Sequence, residues 1–282
     1  MNQVHDIDAE AGRTATDTLG QIGPLQVRLA RTMAEIDAAQ ALRFRIFSTE
    51  FGAQFDAENR RLQRDRDGFD AVCDHLLVLD TTLQGAVLDQ IVGTYRLSVS
   101  DYDAERPPML YSQAEYDVLA LMARNSTARV MELGRSCVLP AYRGRRTIEL
   151  LWQGIWAYTL AHRADIMLGC ASFAGTEPDK HALALSFLHH HASIGPPWTV
   201  SAHAEHRIDM NMMAKENVDM RAALAAMPPL IKGYLRLGAG FGDGAVIDHT
   251  FKTTDVLVVL PISAITSRYI NHYGVDAQRF AR

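Results

Sequence analysis

Five consecutive residues, Arg143-Gly144-Arg145-Arg146-Thr147, could hold an anion. They follow an apolar run (Val130, Leu133, Val138) broken by Pro140, Tyr142 and Gly144. They precede a segment in which Ile148, Leu151, Trp152, Ile155 and Thr159 recur at helical spacing. The first turn of a helix leaves backbone N–H groups unpartnered and carries the positive end of the helix dipole. Arginines around such a turn would add charge to a phosphate site. The rival use of these arginines is plain solvation, because strand–turn–helix units recur in every α/β protein. Other chemistry is less well served. His189-His190-His191, joined by His181, suggests a metal, but consecutive histidines on a helix point in different directions and cannot share one ion. Ser136 has no evident His–Asp partner for covalent catalysis, and Cys137 lies between apolar neighbours as a core thiol would.

The elements that must position this turn read in order along the chain. Leu25 to Ala30 alternates as a strand. Thr32 and Glu35 form a capping pair that opens a helix running to about Gly52. Glu58 to Asp67, dense in charge, is a loop or a short polar helix. His75 to Asp80 and Ile91 to Val99 are strands of a hairpin. A short helix near Ala114 to Ala123 precedes the strand 130–138 and the helix 147–163. Asp165 to Phe173 is a strand, His181 to His191 a helix, and Trp198 to Ala202 a further strand. Asn217 to Met227 and Leu230 to Leu237 are helical. Val256 to Leu260 is a strand, and Ser263 to His272 a last helix.

The chain has 282 residues and a formal net charge of -5. That length suits one large domain with an extension. The mild acidity argues against a nucleic-acid partner, which would call for a basic stripe. Cys73, Cys137 and Cys170 are odd in number and lack metal-ligand spacing, which fits a reducing compartment. No apolar run approaches the roughly 20 residues that span a bilayer. The expected organisation is a disordered tail over 1–22, a catalytic core over 23–205 and an extension over 206–282 packed on that core. The expected location is cytoplasmic, with contact to the inner face of the membrane left open.

The element order to about residue 202 resembles the GNAT N-acyltransferase fold, an α/β fold with a mixed central sheet flanked by helices. That resemblance implies that the strands flanking helix 147–163 splay apart, and that the turn before the helix takes the donor's phosphate. The usual turn reads R/Q-x-x-G-x-G/A. Here Arg146 and Ile148 stand where the glycines would be. The departure weakens coenzyme A as donor and leaves a single phosphate, such as that of an acyl carrier protein's phosphopantetheine. Arg43 and Phe47, then Asp67 and Asp70, then Arg96, then Glu132 and Arg135, follow a spacing similar to that of acyl-homoserine-lactone synthases. Over residues 25 to 275 the chain resembles ornithine N-acyltransferases. The carrying segments are E-L-G-R-S-C-V (132–138), L-L-W-Q-G-I (150–155), P-P-L-I-K-G-Y-L-R-L-G-A (228–239), F-G-D-G-A-V-I-D (241–248), T-T-D-V-L-V-V-L-P (253–261) and R-Y-I (268–270).

What this resemblance implies is transfer of a 3-hydroxyacyl chain from acyl carrier protein to the α-amine of L-ornithine, with no separate cofactor and no metal. Arg143, Gly144, Arg145, Arg146 and Thr147 would hold the donor phosphate. Glu132 would take the amine's proton, directly or through water. Backbone N–H groups near Ser136 to Val138 would stabilise an oxyanion. Asp67 and Asp70 would grip an ammonium, Arg43 or Arg96 a carboxylate, and Phe47 would line the substrate site. The architectural alternative stands beside it: Glu132 and Arg135 join Arg43, Arg96, Asp67 and Asp70 in one buried ion network. Leu230 to Leu237 either rests on a membrane or packs on the domain.

Overall fold

The computed structural model describes residues 18–265. Strands β1 (Thr18–Ile22), β2 (Leu25–Leu29), β3 (Asp74–Asp80), β4 (Ile91–Ser100), β5 (Val130–Val138), β6 (Ile166–Ala174), β7 (Gly240–Asp248) and β8 (Thr253–Pro261) form one sheet, ordered β1-β2-β3-β4-β5-β6-β8-β7. The helices are α1 (Met33–Ile46), α2 (Ala57–Leu62), α3 (Val118–Arg124), α4 (Arg145–His162), α5 (Ala182–His191), α6 (Met220–Ala226) and α7 (Pro229–Leu237).

Strand β3 shows how the layers arise. Its side chains alternate between faces, and both faces are buried. Leu76 and Val78 pack with Leu150, Leu151 and Ile155 of α4. Leu77 and Leu79 pack with Ala39, Leu42 and Ile46 of α1. Helices α4, α5, α6 and α7 cover the first face; α1 and α3 cover the second. The expected Thr32 cap of α1 is present, accepting from the Glu35 N–H at 3.2 Å. A π-helical turn, Phe47–Phe51, extends α1 and ends at Gly52, whose φ of 66° favours a residue without Cβ.

Every neighbouring pair is antiparallel except β5 and β6, which α4 connects in parallel. That pair is short. Val130 to Glu132 align with Ile166 to Leu168, and pairing then stops. Beyond this point β5 stays with β4 as far as Val138, while β6 stays with β8 as far as Ala174. The sheet therefore forks. Two local features set the fork. A bulge shifts the β4–β5 register between Thr94 and Arg96, and opposite it Arg135 takes a φ of 53°. A left-handed non-glycine residue costs about 1–3 kcal/mol and persists only where its surroundings hold it. At the fork's apex, a Cβ on Gly169 would stand 2.1 Å from the Leu133 carbonyl oxygen.

Several expectations are corrected. Thr18–Ile22, placed in a disordered tail, is a strand paired with β2; residues 1–17 lie outside the described residues. The segment after 205 supplies β7 and β8 to the same sheet, so it is not an appendage packed on a finished core. Strand β7 escapes a periodicity reading because Gly240, Gly242 and Gly244 interrupt its pattern. They are there for close approach: a Cβ on Gly240 would meet Ile194 at 2.8 Å. Trp198 to Ala202 makes isolated bridges, Ser201 to Asp243 and Ala202 to Tyr116, in place of a strand. Ile262–Ala264 is a single 3-10 turn, and the rest of the expected last helix lies outside the described residues beyond 265. No helix among the described residues is long and apolar enough to cross a membrane.

Gly169→Ala should cost about 1–3 kcal/mol in urea unfolding, because backbone cannot rotate away as a side chain can. Gly134→Ala, where a Cβ meets nothing within 4 Å, is the control and should change stability by well under that amount.

Candidate active site

Arginine and aspartate side chains from four segments close into a ring beside the fork. Arg43 of α1 donates to Asp65 (Nε to Oδ2, 2.8 Å) and to Asp70 (Nη2 to Oδ1, 2.9 Å). Arg96 of β4 joins Asp70 at 3.3 Å and Asp67 at 2.6 Å. Arg135 of β5 joins Asp67 at 3.0 Å and Asp65 at 3.1 Å. Each carboxylate thus bridges two guanidinium groups, and the three charges of each sign cancel. Burial pushes the Asp70 carboxyl up, but Arg43 and Arg96 outweigh it and hold that carboxyl below its ordinary range. The guanidinium of Arg135 also lies between two rings, 4.6 Å from Tyr111 and 4.5 Å from Phe251.

The structure therefore brings Arg43, Asp67, Asp70, Arg96 and Arg135 together, as the network reading expects, with one exchange of partner. Asp65, not Glu132, completes the set. Glu132 accepts instead from the Tyr111 N–H (2.7 Å), the Ser112 N–H (2.8 Å) and the Ser112 hydroxyl (2.6 Å). It pins the 3-10 turn Tyr111–Ala114 to β5. Phe47 stands apart from the ring. It packs edge-on against Phe251 at 5.3 Å.

The fork opens into a cavity of about 500 Å³. Leu133 to Val138 form one wall, and Cys170, Ala171 and Ser172 of β6 the other. Phe47, Leu151, Trp152, Ile155 and Leu230 make its apolar lining. Helix α7 packs across β6 and β8 with Ile231, Tyr234 and Leu237 buried, as the packing reading expects. Ser136 lines the cavity with Tyr95, whose hydroxyl lies 3.3 Å from that of Tyr234.

Arg143 and Ile148 stand at the basic end. The N-cap of α4 is Gly144, which has no side chain to bond the first N–H groups, so these stay open to a ligand. Arg145 and Arg146 are exposed and Thr147 is buried. Arg143 reaches Glu50 at 2.5 Å, and Arg145 reaches Glu149 at 2.6 Å.

Three further carboxylates meet beside the cavity: Glu115, Asp248 and Asp255, with oxygens all within 4.8 Å of one another, the last two lining it. Such a set could hold a cation, whether an ammonium or a metal. Asp248 also accepts from the N–H groups of Thr250 and Phe251, which fixes the β7–β8 turn. The Cys170 thiol donates to Glu115 at 3.3 Å. Burial, then the charge of Asp255, pushes Glu115 up to about 7. Burial pushes Asp255 up to about 6. These three residues are missed in sequence because Glu115 lies far from the other two and the three share no motif. The available hint is that F-G-D-G-A-V-I-D ends in Asp248 and T-T-D-V-L-V-V-L-P holds Asp255, each beside an apolar run.

Asp65→Ala should cost about 3–5 kcal/mol on denaturant unfolding, because two buried guanidinium groups lose a shared partner. Asp37→Ala, which breaks the solvent-exposed pair with Arg64, should cost about 1 kcal/mol or less. The raised Glu115 carboxyl sets a pH signature. Its ionisation opposes folding, a cost absent below about 4.5 and complete above about 7. Glu115→Gln should therefore gain stability relative to the parent as pH rises through that window, read as a growing difference in melting temperature.

Residues 42–153 match the acetyltransferase (GNAT) domain family. The chain is 57% identical over 267 residues to L-ornithine N(alpha)-acyltransferase of Rhizobium meliloti (strain 1021), covering 95% of this chain and 90% of the relative. It is 54% identical over 262 residues to the enzyme of that name from Brucella abortus (strain 2308), covering 93% of each. Among solved structures, an N-acyl amino acid synthase from uncultured soil microbes superposes with a TM-score of 0.48 at 10% identity, covering 85% of this chain and 92% of the other. With more than half of its residues identical to these relatives over nearly the full length, the chain is a GNAT-fold acyltransferase and belongs to the L-ornithine N(alpha)-acyltransferase family.

Proposed function

We propose that this enzyme moves a 3-hydroxyacyl chain from acyl carrier protein to the α-amine of L-ornithine. The observation that carries this reading is the fork. Past Glu132 the β5 edge has no partner strand on the β6 side, and it faces an apolar cavity lined also by Arg143 at the helix start and by the carboxylates of Asp248 and Asp255. An extended thioester arm can pair with an open strand edge, its phosphate at the uncapped start of α4. Arg143, Arg145 and Arg146 would steer an acidic carrier protein to that mouth. Phe47, Trp152 and Leu230 offer the acyl chain an apolar wall.

The acceptor amine is mostly protonated at neutral pH and must lose a proton before it attacks. Its nitrogen then bonds to the thioester carbonyl carbon, and the resulting oxyanion takes donors from the backbone near Ser136 to Val138. The C–S bond breaks as the adduct collapses. The nitrogen gives up its second proton, and the departing thiolate is protonated to the thiol. We assign the first proton to water entering the open cavity and not to Glu132, three of whose four acceptor sites are taken by Tyr111 and Ser112. The product would be an amide that still carries the δ-amine, and it would leave toward a membrane surface.

Purified protein mixed with 3-hydroxyacyl-loaded carrier protein and L-ornithine should yield an N-acyl-ornithine, with tandem mass spectrometry placing the acyl group on the α-nitrogen. A folded protein and an intact loaded donor that give no amide would overturn the assignment. An amide formed only with another amino acid would keep the reaction and move the acceptor.

A further inference from the structure

Glu115, Asp248 and Asp255 converge from three elements: the turn before α3, the end of β7 and the start of β8. Carboxylates gathered this closely repel one another and call for a cation. Arg135 is the basic group whose charge reaches both Glu115 and Asp255, and its own hydrogen bonds already go to Asp65 and Asp67. Cys170, the other titratable group at this spot, donates to Glu115 and brings no positive charge. A second observation, independent of the clustering, points to a missing ligand. Asp255 is only 5% exposed, lines the cavity, and its Oδ1 has no hydrogen-bond partner among the described residues. An acceptor oxygen shut away from water without a donor is unfavourable unless something arrives to fill it.

We infer that Glu115, Asp248 and Asp255 form a pocket for the side-chain ammonium of the acceptor, with Asp255 as the residue that selects a diamino acid over a neutral one. The inference rests on the reading of the chain as an amino-acid N-acyltransferase and adds the determinant of acceptor choice. The α-amine must be uncharged to attack, so the amine that stays charged is the one the carboxylates can hold. An ammonium has three donors, which suits three converging carboxylates. The selection works chiefly against neutral acceptors. An amino acid of the same carbon skeleton without the terminal amine would bury these oxygens and leave them unpaired, and sites of that kind discriminate strongly.

The test compares L-ornithine with L-norvaline, the same skeleton lacking the δ-amine, using loaded carrier protein in a chelating buffer so that no metal is read as the cation. Wild-type enzyme should prefer ornithine in kcat/KM, and Asp255→Asn should shrink the ornithine-to-norvaline ratio at least tenfold, mainly through the KM for ornithine. Glu115→Gln, on a different element, should move the ratio in the same direction and covers the case in which the first variant does not fold. A ratio unchanged in folded variants overturns the inference while leaving N-acylation intact. An equal fall in kcat for both acceptors also overturns it, because the cluster would then serve proton transfer and not selection. Wild-type enzyme that acylates neither amino acid overturns the reading of function itself, and the inference with it.

Discussion

The ring of Arg43, Asp65, Arg135, Asp67, Arg96 and Asp70 is the constraint on which the site depends. Its members come from α1, the segment 65–70, β4 and β5, so one closed circuit of ion pairs ties four pieces of chain to a common point. Burying six charges is costly, and the cost is offset only because every carboxylate bridges two guanidinium groups. Closure matters more than any single pair. An open chain of the same residues would leave a charge of each sign at its ends. The ring also grips Arg135 in a backbone conformation that a non-glycine residue resists. That grip keeps the bulge in β5, and the bulge accompanies the point at which β5 leaves β6.

The fork and the acid pocket are linked through Tyr111. Its ring covers the Arg135 guanidinium, and its backbone N–H is held by Glu132. The turn it begins leads directly to Glu115. Glu132 therefore acts as a positioning residue. It sits where β5 and β6 last pair and carries the constraint from the neutral ring to the anionic cluster. The ring and the cluster consequently differ in character. The charges of the ring compensate one another, whereas the cluster carries excess negative charge and an unfilled oxygen.

Much of the framework was legible in the sequence because it is local. The capping pair at Thr32 and Glu35, the helical period after Ile148 and the basic turn at Arg143 to Thr147 are each written within a few residues, and the structure places them within two or three residues of expectation. The acids and arginines at 43, 67, 70, 96 and 135 were legible as a group, through a resemblance in their spacing. The partner within that group was not. Asp65 and Glu132 are both acids near the right place, and only the bulge decides which one Arg135 faces. Strand β7 and the pocket at Glu115, Asp248 and Asp255 were illegible for a different reason. Glycines chosen for close backbone approach erase the period-2 pattern, and Glu115 lies far along the chain from Asp248 and Asp255, which the β7–β8 pairing brings together.

The contrast between Glu132 and Asp255 explains why a carboxylate's place in a motif is a weak guide to its chemistry. Glu132 lies on the strand that lines the cavity, in the segment richest in recognisable residues, yet three donors occupy its oxygens. Three of the four acceptor sites of that carboxylate are filled, so an ammonium would find at most one free lone pair there without displacing a buried donor. Asp255 lies in an apolar strand whose sequence gives it no evident chemical role, and one of its oxygens has nothing to displace. Whether a carboxylate can act on a ligand depends on its unused lone pairs, which are a property of the fold and not of the residue. By that measure the cavity's reactive end is the one at β6, β7 and β8, and the ring, the bulge and Glu132 serve to hold it open.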